Sequence, residues 1–286
     1  MRVHLPFTGP YDWPLALRMI GAHAVPGGER LETDDRSYTR VLPADGSGPP
    51  VVLTVRAEHD HVVADVTGDA GGGEQITARV RHWLDLDLDP ARPRARFADD
   101  VRLGPLVRAR PGLRRIRYPA SYEAVISTVL GQQVSLAAAR TFAGRFAAAY
   151  GSPAPQGLTA FPRADRVADA PVDQLQRSIG ITGSRARTIH AVSLLMAETG
   201  DWPVPLPPPS WDSVAARLQA LPGIGPWTVA YLRMRLFGDP DAVPLGDLVL
   251  RRALGVGKDR DVAAVMEPWR PERTYATFHV WASTSW

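Results

Sequence analysis

Two features of the chain combine residue types and spacings that chemistry needs. The first is a glycine turn between two helical patterns. Val214, Leu218 and Leu221 fall on one face of a helix that Ser210 is placed to cap, and the pattern stops at Pro222-Gly223-Ile224-Gly225. A second helix starts at once. Pro226 suits its first turn, where the missing amide is not needed, and Gly238 fits as its terminator. Two glycines around one apolar residue let a backbone approach a phosphate closely, while free amides of the second helix point at the anion. Residues 210–238 thus read as a helix, tight turn, helix unit that can grip a polyanion backbone without reading sequence. The second feature is Asp247, just ahead of the apolar run Leu248, Val249 and Leu250. The commonest duty of such an Asp is to cap the helix that follows. The same position favours the carboxylate anion, which stabilising a developing positive charge or orienting a water would require. Between the two lie Trp227 and Tyr231, four residues apart and so on one helix face. Aromatic pairs at this spacing usually pack a core. Beside a phosphate-binding turn and an acid, they also offer electron-rich faces on which a flat cationic ligand can stack.

Composition removes other chemistries. The chain has no cysteine, and its 33 basic side chains are arginines except for Lys258. There is no disulfide framework, cysteine nucleophile or iron-sulfur cluster, and an amine nucleophile could come only from Lys258 or the N-terminus. The histidines His4, His23, His59, His61, His82, His190 and His279 share no metal-ligand spacing beyond the His59/His61 pair. Residues 1–100 carry 11 basic against 16 acidic side chains, and residues 101–286 carry 22 against 14. That asymmetry fits a polyanion-binding region beside a mainly structural one, or equally an arginine-rich composition of genomic origin. No apolar run approaches the ~20 residues of a membrane span, and Met1 to Pro10 lacks a signal-peptide core. The expectation is a soluble cytoplasmic, nucleoid-associated protein with no membrane contact.

The elements that must position these residues divide near residue 92. Val3 to Phe7, Ser37 to Leu42, Val51 to Ala57 and Val62 to Thr67 are β-branched segments between Gly, Pro and Asp, while Trp13 to Ala24 and Ile76 to Leu86 have helical spacing. Residues 1–92 therefore read as an α+β domain, an antiparallel sheet with two helices. Gly71-Gly72-Gly73 lacks the spacing and lysine of a phosphate loop and reads as a turn. Asp85 to Arg96, rich in Asp, Pro and Arg, reads as a linker. Residues 93–286 read as an all-helical region, with segments near 97–110, 120–131, 135–150, 171–179, 184–198, 211–220, 226–237, 247–254, 259–267 and 271–282. The proline cluster Pro203 to Pro209 reads as a stiff surface connection. The run Arg108, Arg110, Arg114, Arg115 and Arg117 could track phosphates or form a solvated face.

Leu221-Pro222-Gly223-Ile224-Gly225, followed about twenty residues on by Val243-Pro244-Leu245-Gly246-Asp247, resembles the helix-hairpin-helix DNA glycosylase superfamily, and within it the AlkA-type DNA-3-methyladenine glycosylase II. Pro10-Tyr11-Asp12-Trp13, Ala109-Arg110-Pro111-Gly112-Leu113, Leu130-Gly131-Gln132, Gly223 to Thr228, and Pro268-Trp269-Arg270 extend the resemblance over nearly the whole chain.

The resemblance implies Asp247 as the catalytic aspartate, a base pocket of Trp227, Tyr231, Trp269 and Met19, and a wedge at Gln133 that fills the gap left by a flipped nucleotide. Two positions depart from the resemblance: Met19, where the familiar bacterial enzyme carries an aromatic residue, and Gln133, where the best-known members carry leucine. Gly223, Gly225 and Thr228 would meet a DNA phosphate through the hairpin backbone, and the carbonyls of Gln219, Leu221 and Ile224 would hold a monovalent cation. Superfamily members that also cleave the strand carry a lysine where this chain has Trp227, so the implied activity is monofunctional: excision of alkylated purines of the 3-methyladenine type from double-stranded DNA, by a monomer needing no organic cofactor. Two other readings remain: a noncatalytic helix-hairpin-helix DNA-binding protein, and a glycosylase for a bulky, oxidised or mismatched base. The acid at 247 with its aromatic neighbours argues against the first, and the weakly polar pocket against oxidised or mismatched bases.

Overall fold

The computed structural model describes all residues except 33, 35, 44–48, 69–72 and 285–286. Gly71 and Gly72 therefore lie outside the described residues, and Gly73 begins a helix.

The N-terminal part is a five-stranded antiparallel sheet. Its strands are β1 (Arg2–Pro6), β2 (Glu29–Leu31), β3 (Ser37–Leu42), β4 (Val51–Ala57) and β5 (His61–Thr67), in the order β1-β5-β4-β3-β2. The β-branched segments set the register, Tyr38 opposite Val55 and Val55 opposite Ala64. Only β2, three residues of half-exposed chain, has too little pattern to be seen in sequence. Two helices accompany the sheet, α1 (Trp13–Ala22) and α2 (Gly73–Trp83). Asp12 caps α1 by accepting from the Leu15 amide. Leu15, Leu17, Met19 and Ile20 of α1 and Ile76, Val80 and Trp83 of α2 enter one core with Tyr38, Leu53 and Val62 of the sheet.

The remaining helices are α3 (Ala91–Arg96), α4 (Leu103–Ala109), α5 (Ser121–Gly131), α6 (Leu136–Tyr150), α7 (Ala164–Ala168), α8 (Val172–Ile179), α9 (Gly183–Thr199), α10 (Trp211–Gln219), α11 (Pro226–Leu232), α12 (Leu248–Leu254), α13 (Asp259–Met266) and α14 (Arg273–Ala282). A short pairing of Ser152–Pro153 with Thr159–Ala160 places Leu158 and Ala160 against Val41 and Val52 on the other face of the sheet. None of the described helices is long and apolar enough to cross a membrane.

The structure corrects the linker. Asp85 is 2% exposed and α3 forms within the stretch expected to be a linker. Asp85 accepts from Arg115 Nε at 2.8 Å and pairs with Arg117 Nη2 at 2.8 Å. Despite burial, these two guanidinium groups hold its carboxyl down to about 2. Arg114 is also 2% exposed and donates to the carbonyls of Thr8 and Pro10 at 2.6 and 3.1 Å. Three members of the arginine run therefore neither face solvent nor await a phosphate; they join the first ten residues and the end of α2 to the helical region. Nearby, the Asp12 amide donates to Gly112 O at 2.8 Å, and a Cβ on Gly112 would lie 2.6 Å from that nitrogen. Two segments that carried the resemblance from opposite sides of the expected boundary are in direct contact. The main core runs on without a break from the sheet through Leu113, Val125, Ile189, Leu218 and Phe278.

Candidate functional site

The hairpin is formed by α10, the turn 221–225 and α11. Ser210 does not cap α10; it sits in helical conformation at the end of a 3-10 turn over Pro208–Ser210, and its side chain makes no cap bond. Gly238 does end the second helix, at φ +84, after the backbone widens into a π-helical turn over Arg233–Phe237. The two turn glycines answer to different constraints. Gly223 has φ +85, and a Cβ there would stand 2.2 Å from Thr188 Oγ1, which itself donates to Pro222 O at 2.9 Å. Gly225 has φ −96, and a Cβ would meet nothing within 4 Å. Gly223 is fixed by the fold, whereas Gly225 leaves open space beside the N-terminus of α11. The first helical bond there runs from the Val229 amide to Gly225 O, so the amides of Trp227 and Thr228 precede the helical ladder. The Thr228 hydroxyl is buried and accepts from Gln132 Nε2 at 2.9 Å.

Asp247 caps α12, its Oδ1 accepting from the Leu250 amide at 2.7 Å. The same oxygen accepts from the Trp281 indole at 3.3 Å. Oδ2 has no partner among the described residues. Gly246, at φ +97, turns the chain so that Asp247 enters the helix, and a Cβ there would lie 3.7 Å from Trp227 Cδ1. Trp227 and Tyr231 stack at 5.2 Å with 22° between their planes, and Tyr231 lies 6.1 Å from Trp281. One carboxylate oxygen and three aromatic rings thus meet next to the hairpin.

Trp269 does not join this group. It is 2% exposed in a separate core with Phe97, Leu103, Leu250 and Tyr275, and its indole donates to Asp100 at 2.7 Å. Its expected place beside Tyr231 is taken by Trp281. Met19 is buried in the main core. It lies one turn before His23, a side chain that burial and the positive charges of Arg235 and Arg140 push down to about 3.

Arg235 was not anticipated. It is 3% exposed, donates to Tyr231 Oη at 3.3 Å, and sits 5.3–5.7 Å from the ring centres of Tyr118, Tyr231 and Phe278. Among the described residues, aromatic rings and no ion-paired carboxylate surround this buried guanidinium, which props Tyr231 from behind. The only sequence signal for it was an arginine on the apolar side of α11's continuation.

Gln133 lies at the tip of the turn between α5 and α6, exposed, with φ +56. Lys258 is exposed and precedes α13.

A family profile described as the AlkA N-terminal domain matches residues 2–120, and one described as the HhH-GPD superfamily base excision DNA repair protein matches residues 126–257. The chain carries both of these domains. It is 37% identical over 98% of its length to a probable bifunctional transcriptional activator/DNA repair enzyme AlkA of Mycobacterium tuberculosis, of whose length it spans 56%. It is 28% identical to DNA-3-methyladenine glycosylase 2 of Escherichia coli, over 97% of this chain and 95% of the relative. Its fold is that of a 3-methyladenine DNA-glycosylase from Archaeoglobus fulgidus, with TM-score 0.81 and 18% identity over 97% of this chain and 96% of the other.

Proposed function

We propose that the chain is a DNA glycosylase that flips alkylated purines out of double-stranded DNA and hydrolyses their N-glycosidic bond. The observation that carries this reading is the free Oδ2 of Asp247, held beside the Trp227–Tyr231–Trp281 rings while Leu250 and Trp281 occupy Oδ1. An N-alkylated purine is cationic, so it stacks favourably on these rings and leaves as a neutral base. As the bond to C1′ breaks, positive charge develops on the sugar, where Asp247 Oδ2 stabilises it. Water adds to C1′ and gives up a proton, to the carboxylate or to solvent, leaving an abasic site. Met19 backs the pocket from α1, and Gln133 fills the vacated stack. The relatives' names support the substrate class, and the solved 8-oxoguanine glycosylase/lyase of Clostridium acetobutylicum, in complex with DNA, shares the fold at 15% identity and TM-score 0.69.

The amides of Trp227 and Thr228 and the open side of Gly225 would receive a phosphate together with Gly223. The carbonyls of Gln219, Leu221 and Ile224 form a neutral, all-oxygen donor set suited to a monovalent cation. Leu221 O already accepts from the Ile224 amide at 3.2 Å and would use its second lone pair. Such a cation would add positive charge at the phosphate site. Strand cleavage is absent from this reading, because Trp227, at the position where strand-cleaving members carry a lysine, offers no amine. The working form is a monomer.

The test is release of methylated bases from duplex DNA by the wild type and by Asp247→Asn. Release by the wild type, with a loss of at least about a hundredfold in the variant, is expected for a charge-stabilising carboxylate. Equal rates would remove Asp247 from the mechanism. Binding without release by the wild type would favour a noncatalytic hairpin protein, or a different lesion. A borohydride-trapped adduct that disappears in Lys258→Ala would overturn the monofunctional assignment.

A further inference from the structure

Gln132 spends both protons of its side-chain amide on the hairpin. Its Nε2 donates to Gly223 O at 3.0 Å and to Thr228 Oγ1 at 2.9 Å, one acceptor in the turn and one on α11. Its backbone carbonyl accepts from Arg185 Nη2 at 2.5 Å, and the Arg185 guanidinium lies over Phe142 of α6 at 5.8 Å. Thr188, one turn along α9 from Arg185, bonds to Pro222 O at 2.9 Å. Gln132 is therefore clamped from both sides, by the hairpin through its side chain and by α9 through its backbone. The next residue is Gln133, exposed in a left-handed conformation that L side chains seldom hold unaided. Ser135 then caps α6 through the Ala138 amide at 3.2 Å, fixing the far end of the turn.

We propose that Gln132 is a positioning residue that makes the hairpin and the tip at Gln133 one rigid unit, so that seating a phosphate on the hairpin delivers Gln133 into the base stack at a fixed register. This rests on the glycosylase reading and adds to it the part that links grip to insertion. Gln132 cannot itself be the wedge, since both of its amide protons are engaged. Without the clamp, the four-residue turn between α5 and α6 would be free to rotate, and the hairpin would hold DNA without bringing Gln133 to bear.

The test uses the full chain with Gln132→Glu, which keeps size but loses both donated bonds, and Gln132→Ala. The first readout is a duplex carrying a tetrahydrofuran abasic analogue opposite 2-aminopurine, whose fluorescence reports insertion at saturating protein. The second is single-turnover release of methylated purines from duplex and from single-stranded DNA. The variants should bind the duplex within about threefold of wild type yet lose most of the fluorescence change. Their duplex-to-single-strand rate ratio should fall about tenfold, the loss of one or two net hydrogen bonds. A wild-type fluorescence change and rate ratio in both variants would overturn the proposal. So would a tenfold or larger loss of binding at constant ratio, which would reduce Gln132 to hairpin scaffolding, or the absence of any fluorescence change with wild type. If the wild type releases no base but the fluorescence and binding readouts separate as expected, the glycosylase reading fails and the coupling stands.

Discussion

The Trp281 indole donates to Asp247 Oδ1 at 3.3 Å across 34 residues of chain, and its ring lies 6.1 Å from Tyr231. One side chain therefore orients the carboxylate and completes the aromatic wall. Trp281→Phe keeps the ring and removes the donor. Single-turnover base release should fall about tenfold, the worth of one hydrogen bond to a charged group. Trp269→Phe provides the contrast. It breaks the bond to Asp100 in the other core, and should lower urea stability by about 1.5–3 kcal/mol while leaving the rate of release near wild type.

The two hairpin glycines should separate fold from binding. Gly223→Ala forces a left-handed φ and a clash with Thr188, costing about 1–2 kcal/mol from the backbone alone. Its melting temperature should fall. Gly225→Ala meets no atom of the chain and should melt with the wild type, but its methyl group would occupy the space through which a phosphate approaches. Fluorescence anisotropy with abasic duplex should show weaker binding by Gly225→Ala. Unchanged affinity would mean that the phosphate does not approach there.

Buried histidines set a pH dependence of stability. His279 is 0% and His82 9% exposed, and burial pushes both down to about 3. In the unfolded chain they take up protons below about 6.5. Folded, they stay neutral until far lower pH, so the stability they contribute is complete above pH 6.5 and is lost as pH falls toward 3. Between pH 7.5 and 5.5 the two together should cost about 2–3 kcal/mol. Urea unfolding at the two values checks this; His23 is held down to about 3 as well, so three side chains share the difference and His279→Leu should remove about a third of it.

Asp85 makes a fourth case. Asp85→Asn keeps the shape but leaves Arg115 and Arg117 buried against a neutral amide, and breaking a buried pair of this kind costs about 3–5 kcal/mol. Chemical denaturation should show the loss. A variant as stable as wild type would mean that these arginines find other acceptors.

What the sequence disclosed follows the range of the interactions involved. Asp247 and the hairpin were legible because capping, glycine turns and apolar spacing act over a few residues. Strands β3 and β4 were legible to the residue because their β-branched runs end at turn residues. Trp281 was not, because it reaches Asp247 only when α14 packs across α12, and nothing local distinguishes it from Trp269, which lies in a segment of stronger family likeness. Arg114, Arg115 and Arg117 look like a surface stripe because their partners lie in a stretch whose composition reads as a linker. Arg235 was hidden for a related reason: rings from α11, α14 and the segment before α5 surround it, and the carboxylate at helical spacing, Asp239, pairs with Arg233 instead.

The uninterrupted core and the Asp85 lock have a consequence for how the molecule comes apart. With Leu53 of the sheet and Phe278 of the last helix in one packed cluster, the sheet has no dry interior of its own to retreat to when the helical region loosens. Calorimetry should record a single transition whose van't Hoff and calorimetric enthalpies agree, and a protease should find either the whole chain or fragments too small to fold. The two family matches meet between residues 120 and 126; heat will not divide the chain there.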